Sequence, residues 1–243
     1  MKAVDRIVFR LSRALFRRRD YVNEYAVPRD QVTGSGEVAR LFIGHDSRIA
    51  YKVVHYFELY QRHFERFQGT PVRMLEIGVF YGGSLEIWRK YFGPQATIFG
   101  IDIDPECAGR FDPPNAVRIG SQADREFLRA VAGEMGGLDI VLDDGSHVAS
   151  HQRASFDVLW PLLSDGGLYV IEDMCTSYWR DHGGGYRRRG TAVEMAKGLI
   201  DSLHGWWHEK PVIDGVVAVH AYDSIAFIEK GRSTQPRIAK FGH

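Results

Sequence analysis

Hydrophobic positions divide the chain from residue 72 onward into short apolar runs that alternate with amphipathic stretches. The short runs predict strands at 72–79, 96–104, 116–120, 138–144, 168–173, 216–223 and 224–231. Apolar residues at helical spacing predict helices at 84–92, 123–135, 147–163 and 191–207. Strands that alternate with helices favour parallel pairing, so we predict an α/β fold. The tight connection between the last two runs predicts one antiparallel strand in a terminal hairpin.

Upstream of residue 72 the pattern is helical, with a glycine-rich loop around Gly34 and Gly36 and a predicted helix at 50–67. Residues 1–20 carry seven basic and two acidic residues, a net charge of +5, with apolar residues at helical spacing. This segment predicts a basic amphipathic helix that either lies on an anionic membrane surface or packs on its own domain or a sister subunit. We therefore divide the chain into an N-terminal helical extension, 1–70, and a main domain, 71–243.

Charge and composition exclude several classes of protein. Lysine plus arginine and aspartate plus glutamate both number 31, and this balance argues against a nucleic-acid partner. The sequence has no apolar run of about 18 residues and no signal-peptide pattern. The two cysteines, Cys107 and Cys175, have no C-x-x-C spacing, so we expect a reducing, cytoplasmic setting.

The turn after the first predicted strand, LEIGVFYGGS, contains Gly78, Gly82 and Ser84. Glycines allow a tight turn and a close approach of a ligand, but G-x-x-x-G-G is not the dinucleotide fingerprint. Nucleotide binding and plain turn geometry are both open. Glu76 lies inside that strand, where a charge requires a partner. Asp102 ends the next strand, where an acidic residue can bind ribose hydroxyls.

Other polar residues near these turns have two interpretations each. Asp104 precedes Pro105 and is a candidate turn or cap residue. Gln122 and Asp124 follow the third strand and can face an adenine ring, although Asp124 can equally cap the following helix.

Two acidic motifs follow the fourth and fifth strands. LDDGSH places Asp143, Asp144 and His147 at one strand end, and VIED places Glu172 and Asp173 at the next. Carboxylates that converge at one edge of a sheet repel one another unless a cation lies between them. Oxygen ligands favour Mg²⁺, with Mn²⁺ or Ca²⁺ as alternatives. Asp144 or Ser146 can instead cap a helix that begins at His147, but capping accounts for only one carboxylate.

In combination, the motifs LEIGV, GIDI, DDGSH, GGLYVIED and TSYW resemble the metal-dependent sugar O-methyltransferases of macrolide biosynthesis, within the class I methyltransferases. The resemblance covers about residues 72–207. It implies a Rossmann-like, seven-stranded, mostly parallel sheet with helices on both faces. It implies that Asp144, Glu172 and Asp173 bind Mg²⁺ and that His147 is the general base. Contacts to S-adenosylmethionine (AdoMet) are assigned to Glu76, Gly78, Gly82, Ser84, Asp102, Gln122, Asp124 and Asp143.

The resemblance implies methyl transfer from AdoMet to a hydroxyl of a hexose or deoxyhexose, carried by a macrolide, a glycolipid or an oligosaccharide. A catechol-type O-methyltransferase and a non-catalytic AdoMet-binding protein are the alternatives. We also expect a homo-oligomer. The glycine- and arginine-rich segment at 180–190 is either a lid that meets an anionic acceptor or a solvated loop.

Overall fold

Seven strands form one mixed sheet in the computed structural model, which describes residues 27–110 and 116–242. The strands are β1 (Arg73–Ile77), β2 (Thr97–Asp102), β3 (Ala116–Ile119), β4 (Leu138–Asp143), β5 (Leu163–Ile171), β6 (Val216–Ala221) and β7 (Ala226–Lys230). Their order across the sheet is β3-β2-β1-β4-β5-β7-β6. Strands β1 to β5 pair in parallel, and β7 is antiparallel to both β5 and β6. This confirms the predicted fold class, including the antiparallel strand of the terminal hairpin.

Helices cover both faces of the sheet, as predicted. On one face lie α1 (Gly36–Gly44), α2 (Tyr56–Phe64) and α3 (Gly83–Phe92), and on the other α4 (Arg125–Glu134), α5 (Ala149–Leu159) and α6 (Ala192–Leu203). Successive strand residues point to opposite faces. Met74 therefore joins the core under α1–α3, whereas Leu75 and Ile77 join the core under α4–α6. The parallel strands are buried on both sides, which explains their continuous apolar runs.

The N-terminal region differs from its predicted structure. Helix α1 begins at Gly36, where the sequence predicted a loop, and its Val38 is fully buried. The predicted helix at 50–67 begins only at Tyr56, and residues 50–53 have no helical structure. The described part of the 1–70 extension packs on the sheet and shares its core. The predicted basic helix at 1–20 lies outside the described residues.

Two boundaries near the candidate site also differ. Helix α5 begins at Ala149 with Val148 at its N-cap, because His147 has a φ of 56° that a right-handed helix excludes. The predicted start of this helix at His147 is therefore wrong, and neither Asp144 nor Ser146 caps it, which removes the capping alternative. Strand β5 begins at Leu163 and includes residues 164–167, which separate the predicted helix from the predicted strand. Its pairing with β4 shifts register there.

None of the helices in the described ranges combines the length and the apolar character that a membrane span requires. Cys107 and Cys175 are both free thiols.

Candidate active site

The carboxyl ends of β1, β4 and β5 meet at one edge of the sheet. The amide of Asp144 donates to the carbonyl of Ile77 at 2.9 Å, and the amide of Glu172 donates to the carbonyl of Asp143 at 3.0 Å. These bonds continue the sheet pairing one residue beyond the strands. Both acidic motifs are therefore brought together at the edge where open α/β folds bind ligands.

A buried lysine lies among these carboxylates. The Lys52 ammonium donates to both oxygens of Glu172, at 2.8 and 2.9 Å, and to Oδ2 of Asp144. Its Nζ also lies 3.8 Å from Oε1 of Glu76. Burial opposes the charged form, but the negative charges of Asp144, Glu172 and Glu76 raise the pKa of Lys52 well above its usual value. The lysine therefore remains cationic.

Two tyrosines of α2 complete the carboxylate cluster. The Tyr60 hydroxyl donates to Oε1 of Glu172, and the Tyr56 hydroxyl lies 3.1 Å from Oδ1 of Asp173. Burial and the charge of Glu172 raise the pKa of Tyr60 well above its usual value, so it stays a hydrogen-bond donor. One end of α2 thus fixes the two acidic residues that follow β5.

His147 lies beside the cluster with its ring buried. Its Nε2 is 3.8 Å from Oδ1 of Asp144 and 3.7 Å from Oδ2 of Asp173. Ligand atoms of Asp144, His147 and Asp173 lie within 4.8 Å of one another, a spacing that can hold a metal ion. Glu172 belongs to the same cluster, but Lys52 and Tyr60 occupy its oxygens. The structure brings the four predicted residues together, while their division into three ligands and one base stays a prediction.

The chemistry of this donor set fits a divalent cation. Burial raises the pKa of Glu172 well above its usual range, and the charge of Asp144 raises it further, against the opposing effect of Lys52. Burial also raises the pKa of Asp144. A single ammonium, that of Lys52, does not balance the negative charge of the carboxylates around it. The cluster therefore favours additional positive charge, and hard carboxylate oxygens suit Mg²⁺.

Glycines shape the turn after β1. Gly78 has a φ of 96°, and a Cβ there would lie 2.1 Å from the carbonyl oxygen of Asp144. The turn between β1 and α3 therefore lies directly against the acidic turn after β4. Gly82, with a φ of 85°, caps α3. Asp102 accepts hydrogen bonds from the amides of Val79 and Phe80, at 2.9 and 3.0 Å, through Oδ2.

The carboxylate of Glu76 is fully buried between two partners. Its Oε2 accepts from the Ser84 hydroxyl at 3.0 Å, and Lys52 faces its other oxygen. Burial, opposed by Lys52, raises the pKa of Glu76 to about 7. Glu76, Ser84 and Asp102 thus each have a hydrogen-bond partner inside the protein. Their predicted contacts with AdoMet stay predictions.

Gln122 and Asp143 form a buried polar network behind the site. Gln122 accepts from the amide of Ser146 at 2.7 Å and donates to Asp143 at 3.1 Å. Asp143 also accepts from the hydroxyls of Ser155, at 2.7 Å, and Tyr169, at 3.3 Å. These contacts brace the turn that carries Asp144 and His147, and a cofactor role for either residue stays a prediction.

Asp104 and Asp124 both cap helical turns. Asp104 accepts from the amide of Glu106, and Asp124 accepts from the amides of Glu126 and Phe127. The structure thus shows the capping alternative for both residues, and an adenine contact of Asp124 stays a prediction.

A cavity of about 1440 Å³ opens beside the cluster. Part of its wall is formed by Asp144, His147, Glu172 and Asp173. Residues between 27 and 58 form another part, with apolar side chains that include Val32, Ile43, Ile49, Val53 and Phe57. The volume exceeds the roughly 300–1,000 Å³ of ordinary small-ligand pockets. The cavity can therefore admit more than a single sugar ring.

The first part of the segment at 180–190 packs beside the site, whereas residues 186–190 are exposed to solvent. The amides of Gly184 and Gly185 donate to the carbonyls of Trp179 and Ser177, both at 2.8 Å. Trp179, Asp181 and His182 line the cavity, whereas the exposed arginines at 187–189 are not among its lining residues. The lid remains a prediction, and this geometry does not support an anion-binding role of the arginines.

Sequence reasoning missed Lys52 and His182. Lys52 is the only cation within the apolar and aromatic run 49–54, which was the available signal. His182 is half-buried, and burial, followed by the proximity of His147, lowers its pKa. Nothing in the local pattern placed His182 beside His147, because the two are brought together by the fold of the segment after β5.

Comparison with known proteins agrees with this geometry. Residues 75–174 match the family model described as a methyltransferase domain. The chain is 41% identical to the 8-demethyl-8-(2-methoxy-alpha-L-rhamnosyl)-tetracenomycin-C 3'-O-methyltransferase of Streptomyces olivaceus, over 85% of this chain and 57% of that protein. It is also 41% identical to the L-olivosyl-oleandolide 3-O-methyltransferase of Streptomyces antibioticus, over 70% of this chain and 48% of that protein.

A solved structure shows the same relationship. The MycE methyltransferase from the mycinamycin biosynthetic pathway, in complex with Mg, SAH and mycinamycin VI, matches with a TM-score of 0.70 and 37% identity, over 75% of this chain and 50% of that one. The chain thus spans about half the length of the relatives it matches.

Proposed function

We propose that this chain transfers the methyl group of AdoMet to a sugar hydroxyl. It has the fold of the class I methyltransferases. Its homologues at 37–41% identity are sugar O-methyltransferases of macrolide and tetracenomycin pathways. The acceptor is a hexose or deoxyhexose on a larger carrier. The observation that carries the proposal is the convergence of Asp144, His147 and Asp173 within 4.8 Å on the wall of a large cavity.

Asp144, Glu172 and Asp173 would hold Mg²⁺, with Mn²⁺ or Ca²⁺ as alternatives. When bound, such an ion lowers the pKa of a sugar hydroxyl and fixes its direction. His147 Nε2 faces the same point and would accept the hydroxyl proton. As the oxygen bonds to the methyl carbon, the bond from that carbon to the AdoMet sulfur breaks and S-adenosylhomocysteine leaves. Tyr56 and Tyr60 hold Asp173 and Glu172 in place, so the acceptor meets a rigid arrangement.

AdoMet would lie over the turn after β1, between Gly78 and the end of β2. Gly82 and Ser84 open α3 beside this turn, and Asp102 already orders its amides. The apolar wall of the cavity supports an acceptor whose sugar is attached to an apolar carrier, such as a macrolide or other polyketide.

Methyl transfer can be tested directly with labelled AdoMet. We expect labelling of glycosides from a panel of hexosides, deoxyhexosides and catechols, with Mg²⁺ present, and its loss with EDTA. Labelling of catechols alone would contradict the sugar acceptor while leaving the metal-dependent transfer. AdoMet binding without transfer to any glycoside or catechol of the panel would favour the non-catalytic alternative.

The setting of the enzyme belongs to the same proposal. We infer a cytoplasmic homo-oligomer that acts on a carbohydrate-containing small molecule and not on nucleic acid, consistent with the balanced charge of the chain. Sedimentation of the full chain tests the oligomer. A flotation assay with anionic liposomes, comparing the full chain with a truncation after Asp20, tests membrane contact of the basic segment; equal flotation would contradict it.

A further inference from the structure

Lys52 is the one lysine that the described structure places inside the carboxylate cluster, and the proposed function gives it no role. It lies between α1 and α2, and its side chain is 2% exposed. A buried ammonium is unfavourable unless carboxylates compensate for its lost hydration. The contacts of Lys52 therefore indicate what the residue does.

Those contacts come from three neighbouring strands. Glu172 follows β5, and both of its oxygens accept hydrogen bonds from the ammonium, at 2.8 and 2.9 Å. Asp144 follows β4 and accepts through Oδ2. Glu76 lies within β1, and its Oε1 is 3.8 Å from the ammonium nitrogen. One ammonium thus links the candidate metal ligands to the acidic residue on the AdoMet side. An exposed ion pair of this kind would be weak, but this one is shielded from water.

The carboxylates that Lys52 holds are also carboxylates that a divalent cation would need. Asp144 and Glu172 are both candidate ligands, and Lys52 is bonded to both. Two cations that share carboxylates repel each other strongly inside a protein, where the effective dielectric constant is low. Binding of the metal ion must therefore weaken or displace the contacts of the ammonium.

We propose that the Lys52 ammonium competes with the divalent cation for Asp144 and Glu172, which makes Lys52 the positioning residue that sets the metal affinity of the site. The proposal rests on the metal site of the proposed function. Lys52 keeps the carboxylates paired and close together, and a divalent ion binds only when its attraction exceeds that of the ammonium. Lys52 thereby favours an ion of charge two over monovalent ions, which gain less from the same ligands.

The test is the affinity of the purified full chain for Mn²⁺ by titration calorimetry, with AdoMet absent. We expect Lys52→Met to bind Mn²⁺ at least about tenfold more tightly than the unchanged protein, because the competing charge is gone. Lys52→Arg, which keeps the charge, should stay close to the unchanged protein. Lys197→Met removes an exposed lysine that pairs with Glu194 and serves as the matched control, with no expected change.

Equal or weaker binding by Lys52→Met would overturn the competition and leave Lys52 as a structural ion pair. Absence of Mn²⁺ binding by the unchanged protein would overturn the metal site itself, and with it the metal-dependent part of the proposed function. Unimpaired Mn²⁺ binding without methyl transfer would affect only the proposed reaction. The two failures are therefore distinguishable.

A second measurement uses the unchanged protein and does not depend on the variant folding. Reductive methylation followed by mass spectrometry reports how accessible each lysine is. We expect Mg²⁺ to increase labelling of Lys52, because the ion loosens its contacts, while the exposed Lys210 is labelled equally with and without the ion. Labelling of Lys52 that Mg²⁺ leaves unchanged or decreases would contradict the competition.

Discussion

Two residues of the candidate site have a backbone conformation that L-amino acids rarely adopt. His147 has a φ of 56° and Asp173 a φ of 50°. Each such residue costs about 1–3 kcal/mol of folding free energy, which the surrounding structure must offset. Asp tolerates this conformation better than most residues because its short side chain bonds locally. This backbone conformation orients both side chains towards the same point, and His147 Nε2 lies 3.7 Å from Oδ2 of Asp173.

At this scale the sharpest prediction concerns His147. We expect His147→Ala to lower the rate of methyl transfer by about 10²–10⁴-fold, the usual contribution of a general base. AdoMet affinity should be unchanged, because the assigned cofactor contacts come from other residues. Transfer rates and AdoMet titrations check both parts. His204→Ala, an exposed histidine at the end of α6, is the control, and near-normal transfer by His147→Ala would exclude the role.

At the scale of elements, periodicity predicted the strands and their pairing but missed α1, the start of β5 and the starts of two further helices. Residues 50–53 have helical apolar spacing, yet Lys52 leaves the helix because its ammonium bonds to carboxylates more than ninety residues away in the sequence. Helix α5 starts two residues later than predicted because His147 turns into the site. The starts of these two helices are thus set by side chains that turn into the candidate site, where local sequence patterns lose their predictive value.

The close approach of two turns leads to an element-scale prediction. Gly78→Ala should destabilise the protein by more than the roughly 1–3 kcal/mol of strained backbone, because its Cβ would also meet the carbonyl of Asp144 at 2.1 Å. AdoMet and Mn²⁺ affinities should fall together, since the two turns move as a unit. Gly93→Ala is the matched control, with a φ of 87° and nothing within 4 Å of its Cβ. Equal losses in urea unfolding of the two variants would contradict the argument.

The packing of α2 on β7 leads to a prediction about pH. His63 stacks on Phe227 at 4.2 Å, and burial, with the nearby charge of His220, lowers its pKa to about 4. In the unfolded chain a histidine titrates near pH ~6.5. Between these values the unfolded chain binds more protons, so the free energy of unfolding falls as the pH falls from about 6.5 towards 4.

This pH dependence can be checked by urea unfolding at several pH values. His63→Gln keeps a polar group near the Tyr222 hydroxyl, 3.0 Å from the ring in the native protein, but does not titrate. The decline in stability across this window should therefore be shallower in His63→Gln. His204→Gln, an exposed histidine, should leave the decline as it is. A steeper or unchanged slope in His63→Gln would contradict the effect of His63.

At the scale of the whole molecule, the site is an assembly of segments from distant parts of the sequence. Lys52, Asp144 and Glu172 meet at one point, and the hydroxyl of Tyr56 bonds to the carbonyl of Ser224 at 3.0 Å. The sequence motifs located the acidic residues correctly on the sheet edge. They could not locate Lys52 or His182, because neither residue stands in a motif and only the folded chain places them beside the carboxylates.

Metal binding should therefore stabilise the entire fold. An ion present at 100 times its dissociation constant adds about 2.7 kcal/mol to the free energy of unfolding, which corresponds to a rise in Tm of roughly 5–10 °C for a chain of this size. Calorimetric melting with Mg²⁺, with EDTA, and with NaCl at equal ionic strength measures the effect. An unchanged Tm at saturating Mg²⁺ would contradict the coupling of the site to the fold.

The position of β7 also constrains when the candidate site can become ordered during synthesis of the chain. Strand β7 lies between β5 and β6, although it follows both in the chain. As the ribosome releases the protein, β5 has no neighbouring strand on that side until residues 226–230 have emerged. The hydroxyl of Tyr56 likewise cannot bond to the carbonyl of Ser224 until Ser224 has emerged. Glu172 and Asp173 follow β5 directly, so the nascent chain can fold its first strands early but orders the candidate metal site only after β7 has emerged.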